Sequence, residues 1–333
     1  MRRRTPFLAL ALAAAAGAAN AATLVVVNQS DGTVSFVDPA TLRVRAKVSE
    51  DLKGESHAHE AAVLKDGKTV VLPVYGDSGV GRPGVDGQDV LFVDLSTRSV
   101  AGVLNLGHGV RPHQAVVDPA SGLVYVTTEL DRSVAIIDPA ARTVVGSVPT
   151  GADQSHMLTL SRDGRLGYTA NVGPGSVSVL DLKARKTLAV IPVAARVQRI
   201  ALSIDDRLLF TADNQRPRLA VIDTATRTIR KWVKLPGLGF GAAATADGRW
   251  LLIAIPARNL VAVIDLKTFA VVRKIPVGAA PQETLIPPGG RVAYVSCAGE
   301  GGVTAIDLTT FKVIGTVATG PGADGLAWAE PGV

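Results

Sequence analysis

Residues 176–187 read SVSVLDLKARKT, and this pattern of a short apolar segment, an aspartate and a polar turn recurs along the chain. The other copies are TVSFVDPATLRV from 33, DVLFVDLSTRSV from 89, SVAIIDPAARTV from 133, LAVIDTATRTI from 219, VAVIDLKTFAV from 261 and VTAIDLTTFKV from 303. Successive aspartates lie 56, 44, 43, 42, 42 and 42 residues apart. Seven copies with a period near 42 residues predict seven similar supersecondary units.

Each unit contains four short runs rich in β-forming residues. In 156–193 these are HMLTLS, LGYTAN, VSVLD and TLAVIPV, separated by turns rich in Gly, Asp and Pro. Apolar alternation broken by such turns is typical of antiparallel strands. The sequence therefore predicts an all-β, seven-bladed β-propeller with four antiparallel strands per blade and almost no helix.

The two ends of the repeat region indicate how the ring closes. TLVVVN from 23 corresponds to the second strand of a unit, whereas GADGLAWAE, ending at 330, corresponds to a first strand. Pairing these segments would complete the last blade with the N- and C-terminal strands and remove an exposed sheet edge.

The recurring aspartates suggest a catalytic carboxylate at first sight, but a structural role explains them better. Five of them have a threonine three residues later, as in Asp223 and Thr226. A carboxylate at that place accepts hydrogen bonds from the backbone N–H groups of the following turn. We therefore expect these residues to belong to the scaffold.

The first 21 residues have the pattern of a signal peptide. Arg2, Arg3 and Arg4 precede an apolar run that ends in the small residues around Ala21. We expect 1–21 to be removed and 22–333 to form a single propeller domain, periplasmic or secreted and without a membrane-inserted segment. The formal charge of +6 falls to near +3 without the leader arginines and is spread along the chain, which disfavours nucleic acid as a partner. Even strands with polar outer turns predict a monomer.

The repeats resemble the YVTN-repeat family of β-propellers, which includes lactonase-like and cytochrome-d1-domain-like proteins. The resemblance rests on the turns SRDG at 161–164 and TADG at 245–248, and on the strand segments YVTT at 125–128 and YTAN at 168–171. No copy spells YVTN in full. The resemblance covers the whole chain after the leader and implies the propeller fold, while proteins of this fold have unrelated functions.

Histidines break the repeat at one position. We align the units on the turn that follows their first strand and take the residue five positions before that turn. The residues at this aligned position are His59, His113, His156, Gln198, Phe240, Gln282 and Asp324. The first strand of a blade lines the central channel, so three adjacent blades should bring imidazoles to one mouth of it. His57 and His108 lie nearby in sequence, which would place all five histidines on this rim.

Neutral imidazoles are typical ligands of Zn, Cu and Fe. His59, His113, His156 and His57 are therefore predicted to hold a divalent transition metal, and three histidine ligands would leave a coordination position open for water or substrate. Alternation along the strand should point Glu60 away from His59. The alternative is that these histidines cap strand ends by hydrogen bonding to backbone carbonyls.

Other candidates for ligand binding lie in loops at the same rim: Tyr75, Arg111, Glu129 and Asn171. The longest loop, YGDSGVGRPGVDGQ at 75–88, also lies there. Arg199 is a further candidate for contact with an anionic ligand. Cys297, the one cysteine of the chain, is expected to be a buried thiol without a role.

These residues leave three functions open, and whether the protein is an enzyme is undecided. The first is a periplasmic binding protein that holds a metal ion or small ligand, or a periplasmic partner protein, at the histidine-lined mouth. The second is a metal-dependent hydrolase or lyase, since lactonase-like propellers resemble this chain. The third is an interaction scaffold without a ligand.

Overall fold

The computed structural model describes residues 22–50, 57–77 and 79–331 as a ring of seven antiparallel sheets. The predicted fold is confirmed: the elements in this part of the chain are strands apart from one 3-10 turn at Pro256–Arg258. The predicted signal peptide at 1–21 lies outside the described residues. No described helix has the length and apolarity needed to cross a membrane.

The strands follow the blades in chain order. The closing blade, blade 7, begins with β1 (Thr23–Asn28), β2 (Thr33–Asp38) and β3 (Arg43–Ser49). Blade 1 contains β4 (His57–Ala58), β5 (Ala62–Val63), β6 (Thr69–Gly76), β7 (Asp89–Asp94) and β8 (Ser99–Asn105). Blade 2 contains β9 (Pro112–Val117), β10 (Val124–Thr128), β11 (Ser133–Asp138) and β12 (Thr143–Pro149). Blade 3 contains β13 (Ser155–Leu160), β14 (Leu166–Asn171), β15 (Ser176–Asp181) and β16 (Lys186–Pro192).

The second half of the ring has the same plan. Blade 4 contains β17 (Ala201–Leu202), β18 (Leu208–Asp213), β19 (Arg218–Asp223) and β20 (Thr228–Lys234). Blade 5 contains β21 (Ala242–Ala244), β22 (Trp250–Ile255), β23 (Leu260–Asp265) and β24 (Ala270–Pro276). Blade 6 contains β25 (Pro281–Leu285), β26 (Val292–Cys297), β27 (Gly302–Asp307) and β28 (Lys312–Ala318). The last strand, β29 (Ala323–Ala329), pairs antiparallel with β1 and completes blade 7, as predicted.

The hydrophobic core lies between neighbouring blades. Each interface has its own cluster of buried aliphatic side chains; Leu72 and Val27, for example, belong to the cluster between blades 1 and 7. The middle strands are buried almost along their whole length, because both of their faces contact a neighbouring sheet. This packing makes the inner strands a rigid frame around the channel.

The recurring aspartates have the predicted structural role. Asp223 Oδ1, for example, accepts hydrogen bonds from the backbone N–H groups of Ala225 and Thr226 at 3.1 and 2.8 Å. The equivalent aspartates of the other six blades accept the same type of bond from their own turns. Because these bonds favour the charged form, the pKa of Asp223 lies below its usual value.

Candidate functional site

The aligned position of the inner strands has an irregular backbone in the blades that carry histidine. Pairing between β9 and β10 skips His113, and pairing between β13 and β14 skips His156. In blade 1 the inner strand is interrupted at 59–61, between β4 and β5. A bulge bends a strand and redirects the side chain of its extra residue. These irregularities explain how side chains from separate blades meet in the channel.

The structure brings His59, His113 and His156 together around Tyr75. The ring centroids of His113 and His156 lie 3.5 Å apart, and those of His59 and His113 lie 5.3 Å apart. The Tyr75 ring lies 4.9, 5.2 and 5.8 Å from the rings of His59, His113 and His156, respectively. Tyr75 is fully buried and belongs to β6, so the long loop begins after the strand, at Asp77. We call these three histidines and Tyr75 the histidine cluster.

Glu129, from the loop after β10, joins two members of the histidine cluster. Its Oε2 accepts a hydrogen bond from the Tyr75 hydroxyl at 2.8 Å, and its Oε1 is hydrogen-bonded to His156 Nδ1. Only 2% of the Glu129 surface is exposed. Because Oε2 accepts the hydrogen bond of the Tyr75 hydroxyl, Oε1 accepts the hydrogen bond of His156 Nδ1–H. The free lone pair of this imidazole is then on Nε2.

Two glutamines contact the remaining imidazole nitrogens. The Gln29 amide lies 2.9 Å from His59 Nε2, and the Gln198 amide lies 3.3 Å from His156 Nε2. An amide N–H that donates to each Nε2 fits the tautomer that Glu129 imposes on His156. His113 Nδ1 is buried and has no hydrogen-bond partner among the described residues. This buried nitrogen requires an explanation, since buried polar atoms are normally paired.

Burial keeps two imidazoles of the histidine cluster, those of His59 and His113, uncharged. It lowers the pKa of His59 to about 4, although the nearby Asp324 carboxylate opposes this shift. The pKa of His113 is lowered well below its usual value by burial and by the neighbouring imidazoles. Burial, and then Glu129, raise the pKa of the Tyr75 hydroxyl, which stays protonated. At neutral pH these two imidazoles are therefore in the neutral form that coordinates metals.

A second group of side chains meets across the channel; Glu60, Arg199 and Glu283 each directly follow an aligned position, and Asp324 occupies one. Arg199 of blade 4 contacts Glu60 of blade 1 at 2.6 Å and Asp324 of blade 7 at 2.7 Å. Blades 1 and 7 are the two farthest from blade 4 in a ring of seven, so these ion pairs cross the channel. Glu283 of blade 6 completes this channel ion cluster through its interactions with Arg199 and Glu60.

Burial sets the protonation of the channel ion cluster. The pKa of Glu60 is raised well above its usual value, mainly by burial, although Arg199 opposes the shift. The pKa of Glu283 is raised to about 7, again mainly by burial. Glu60 points to Arg199 and not into the histidine cluster, in line with the expected alternation. Both ends of the Arg199 guanidinium meet carboxylates of the chain itself.

The other candidates from the sequence lie outside the histidine cluster. His57 packs against Gly32 of blade 7, and ring contacts in the described part of the chain do not connect it to the other histidines. The exposed His108 pairs with Asp131 at 2.9 Å. The amide of Asn171 lies inside blade 3, where both of its ends bond hydroxyl groups. Cys297 is buried, as expected.

Arg111 lies beside the histidine cluster and ties the long loop to it. Its guanidinium is 5.9 Å from the Tyr75 ring centroid. Nε pairs with Asp86 at 2.5 Å, and Nη2 donates to the carbonyl of Arg82 at 2.9 Å. Arg111 is buried, so its charge is already compensated by a carboxylate of the 77–88 loop.

In their present positions the side chains do not form a metal cage: within 22–50, 57–77 and 79–331, no three His, Cys, Asp or Glu side chains converge as ligands.

The sequence reasoning also missed Gln29, Glu283 and the pairing of Glu129 with His156. A signal for the channel ion cluster was present, because Glu60, Arg199 and Glu283 each directly follow an aligned position. Gln29 directly follows β1 as Glu129 directly follows β10, so the repeat offered a signal for Gln29 as well.

Comparison with known proteins supports the fold and gives one clue to ligands. The sequence model of the Cytochrome D1 heme domain family matches residues 119–238, which is less than half of the chain. The matched segment contains Glu129, His156, Gln198 and Arg199 but neither His59 nor His113. No curated protein matches the sequence.

Three solved structures have a similar fold at low sequence identity. Hydrazine synthase of Kuenenia stuttgartiensis has a TM-score of 0.70 and 19% identity, covering 86% of this chain and 92% of that one. Dihydro-heme d1 dehydrogenase NirN has a TM-score of 0.63 and 16% identity, with 91% and 74% covered. A functionally unknown protein from Desulfotomaculum acetoxidans has a TM-score of 0.75 and 14% identity, with 93% and 99% covered. At these identities the likeness concerns the fold alone.

Proposed function

We propose that this protein is an exported, YVTN-type β-propeller that binds a transition-metal centre through neutral imidazole nitrogens of the histidine cluster. The observation that carries the proposal is the meeting of His59, His113 and His156 around one buried tyrosine, with Glu129 behind His156. Export rests on the sequence of 1–21 and is part of the proposal.

The pairing of Glu129 with His156 is the strongest chemical argument for coordination. Histidines that bind metals usually donate their second ring N–H to a carboxylate or carbonyl, which fixes the tautomer and makes the free nitrogen a better ligand. Glu129 has this place behind Nδ1 of His156, and the Tyr75 hydroxyl holds the carboxylate. A strand-capping histidine would instead bond to a backbone carbonyl.

The amides of Gln29 and Gln198 occupy the positions that a metal centre would take on His59 and His156. Binding therefore requires these amides to turn away and the imidazoles to adjust, since the three rings do not converge as they stand. The buried Nδ1 of His113, which has no hydrogen-bond partner among the described residues, would gain one. When bound, the metal centre would supply an open coordination position for a further small ligand.

Two sources of such a centre have the same imidazole chemistry. One is a free divalent ion, Zn, Cu or Fe. The other is the iron of a tetrapyrrole, for which a single imidazole is sufficient as an axial ligand. The family match over Glu129 and His156 favours the second source. The channel ion cluster limits where a tetrapyrrole could lie, because the ion pairs of Arg199 with Glu60 and Asp324 already cross the channel.

The test is a titration of the dialysed mature chain with Cu²⁺ or Zn²⁺ followed by calorimetry, and with haemin followed by the Soret band. We expect binding that is lost in His156→Ala and in the triple variant His59→Ala, His113→Ala, His156→Ala. His108→Ala is the matched control, because His108 is exposed and lies outside the cluster.

The arms of this experiment separate the alternatives. Binding of ions without haemin, or of haemin without ions, identifies the source. Equal binding by wild type and the triple variant, or no binding of either probe to wild type, would contradict the proposal. Turnover of lactones or esters by the metal-loaded chain would move the assignment to the hydrolase alternative.

A further inference from the structure

The outer strands of the propeller differ in charge around the ring. The fourth strands of blades 4, 5, 6 and 7 read TIRKWVK, AVVRKIP, KVIGTVA and RVRAKVS, which hold nine Lys and Arg residues and neither Asp nor Glu. The same strands of blades 1 and 2 read SVAGVLN and TVVGSVP and have no charged residue. Lysine on an edge strand often prevents unwanted pairing. The uncharged edges of blades 1 and 2 show that this architecture does not require it.

A groove separates the outer strands of blades 5 and 6. It has a volume of about 540 Å³ and is lined by Arg273, Lys274 and Ile275 of β24 and by Phe311, Lys312 and Val313 at the start of β28. Ile275 is buried, and the half-buried Phe311 has its ring edge-on to Trp250 at 5.5 Å. The groove therefore has an apolar floor and a basic rim.

The positive charge of this groove has no counterpart in the described part of the chain. Ion pairs of outer-strand cations there are those of Arg45 and Lys47, both in blade 7. Arg273 lies over the Phe311 ring at 5.2 Å, and the exposed Lys274 and Lys312 have no carboxylate partner.

Exposed aliphatic side chains flank the basic rim. Val272 is 47% exposed, Val313 40% and Ile314 55%. β24 is the outermost strand of its sheet and pairs only with β23, so one edge of its backbone is open. An extended chain beside such an edge presents alternate side chains to opposite sides. Carboxylates at one set of positions would meet the lysines, and apolar side chains at the other set would meet the groove floor.

We infer that the groove between the outer strands of blades 5 and 6 binds an extended acidic segment of a partner protein, in which carboxylate and apolar side chains alternate. The surface lies on the outside of the ring and is separate from the histidine cluster. Electrostatic complementarity of this kind favours rapid and selective association.

The probe is a fluorescein-labelled peptide of alternating glutamate and valine, about eight residues long, since strands of this length are common. Anisotropy is measured with the full mature chain at low salt and at physiological salt. We expect binding that weakens with salt, because the Debye length falls to about 8 Å at physiological ionic strength.

Lys274→Glu combined with Lys312→Glu should weaken this binding by about tenfold or more, since each lost pair is replaced by a repulsion. Lys183→Glu combined with Lys186→Glu is the matched control, because it changes the net charge equally at exposed positions of blade 3. A glutamine–valine peptide serves as the neutral probe.

Four outcomes would overturn the inference: no binding of the acidic peptide at low salt, equal weakening by both double variants, binding of the neutral peptide as tight as that of the acidic one, or unchanged binding by the groove variant. Phosphatidylglycerol vesicles are tested in parallel. If the vesicles bind through the same lysines and the peptide does not, the surface recognises a membrane, and the inference of a peptide partner is wrong.

Discussion

Replacing Arg199 with methionine removes the cation that faces carboxylates from three other blades. The guanidinium is 6% exposed, and it contacts Glu60 at 2.6 Å and Asp324 at 2.7 Å. Removing one partner of a buried ion pair costs about 3–5 kcal/mol, because the remaining charge is buried without compensation. Here Asp324 loses its ion-pair partner and Glu60 loses the cation that opposes its raised pKa, so we expect a loss within that range.

The loss should depend on pH. Burial raises the pKa of Glu60, and that of Glu283 to about 7, so the folded chain retains protons that the unfolded chain releases. Stability therefore falls as pH rises through this range. Without Arg199 both pKa values rise further, because its charge opposes the shift. The variant should lose more stability at pH 8 than at pH 5, where protonation relieves the repulsion.

Urea unfolding at both pH values measures this effect, and Arg45→Met is the control. Arg45 forms an ion pair with Asp38 at 2.7 Å, but its side chain is 36% exposed, so its loss should cost about 1 kcal/mol or less. Adding Glu60→Gln to Arg199→Met should restore part of the stability. A loss for Arg199→Met no larger than that of the control, or an equal loss at pH 5 and pH 8, would refute the reasoning.

Three further predictions concern single side chains. Glu283→Gln should raise the free energy of unfolding at pH 8 by up to about 3 kcal/mol, since the rise of the Glu283 pKa from 4.5 to about 7 corresponds to that amount. The variant should also show a weaker pH dependence of stability in urea titrations, and an unchanged dependence would count against the prediction. Asn171→Leu should cost about 3 kcal/mol in the same assay, because it removes the amide that the buried hydroxyls of Thr169 and Ser178 bond; a loss under about 1 kcal/mol would contradict the network. Glu129→Gln should weaken metal binding in calorimetry by about 10- to 100-fold, and unchanged affinity would show that Glu129 does not support a ligand.

The fold was predictable because its determinants are local and repeated. Each blade carries its own turn aspartate, and the hydrogen bonds of Asp223 in its turn are formed between near neighbours in sequence. The closing of the ring was also predictable. The N-terminal end of the repeat region supplies a second strand without a first strand, and the C-terminal end supplies a first strand without a second. Only their pairing with each other completes the hydrogen bonds of both strand edges. The pairing of β29 with β1 follows from that requirement.

The candidate site was predictable only in part. Position in the repeat was sufficient to bring His59, His113 and His156 to one mouth, because equivalent residues of a ring share one layer. It was not sufficient for the contacts of those side chains, which depend on bulges and on loops from other blades. Glu129 reaches His156 from the loop after β10, and Gln29 reaches His59 from blade 7. Gln29 and Glu129 both directly follow the second strand of their blade and contact the histidine of the next blade, so this position repeats although the type of side chain on it does not.

The channel ion cluster and the histidine cluster are neighbours, since Asp324 and Arg199 both act on the pKa of His59. The channel ion cluster spans the ring from blade 4 to blades 1 and 7, so it links parts of the chain that are not neighbours in the ring. The ion pair of Arg111 with Asp86 holds part of the long loop beside the histidine cluster. We therefore expect Arg199 to govern the integrity of the ring that positions the histidine cluster.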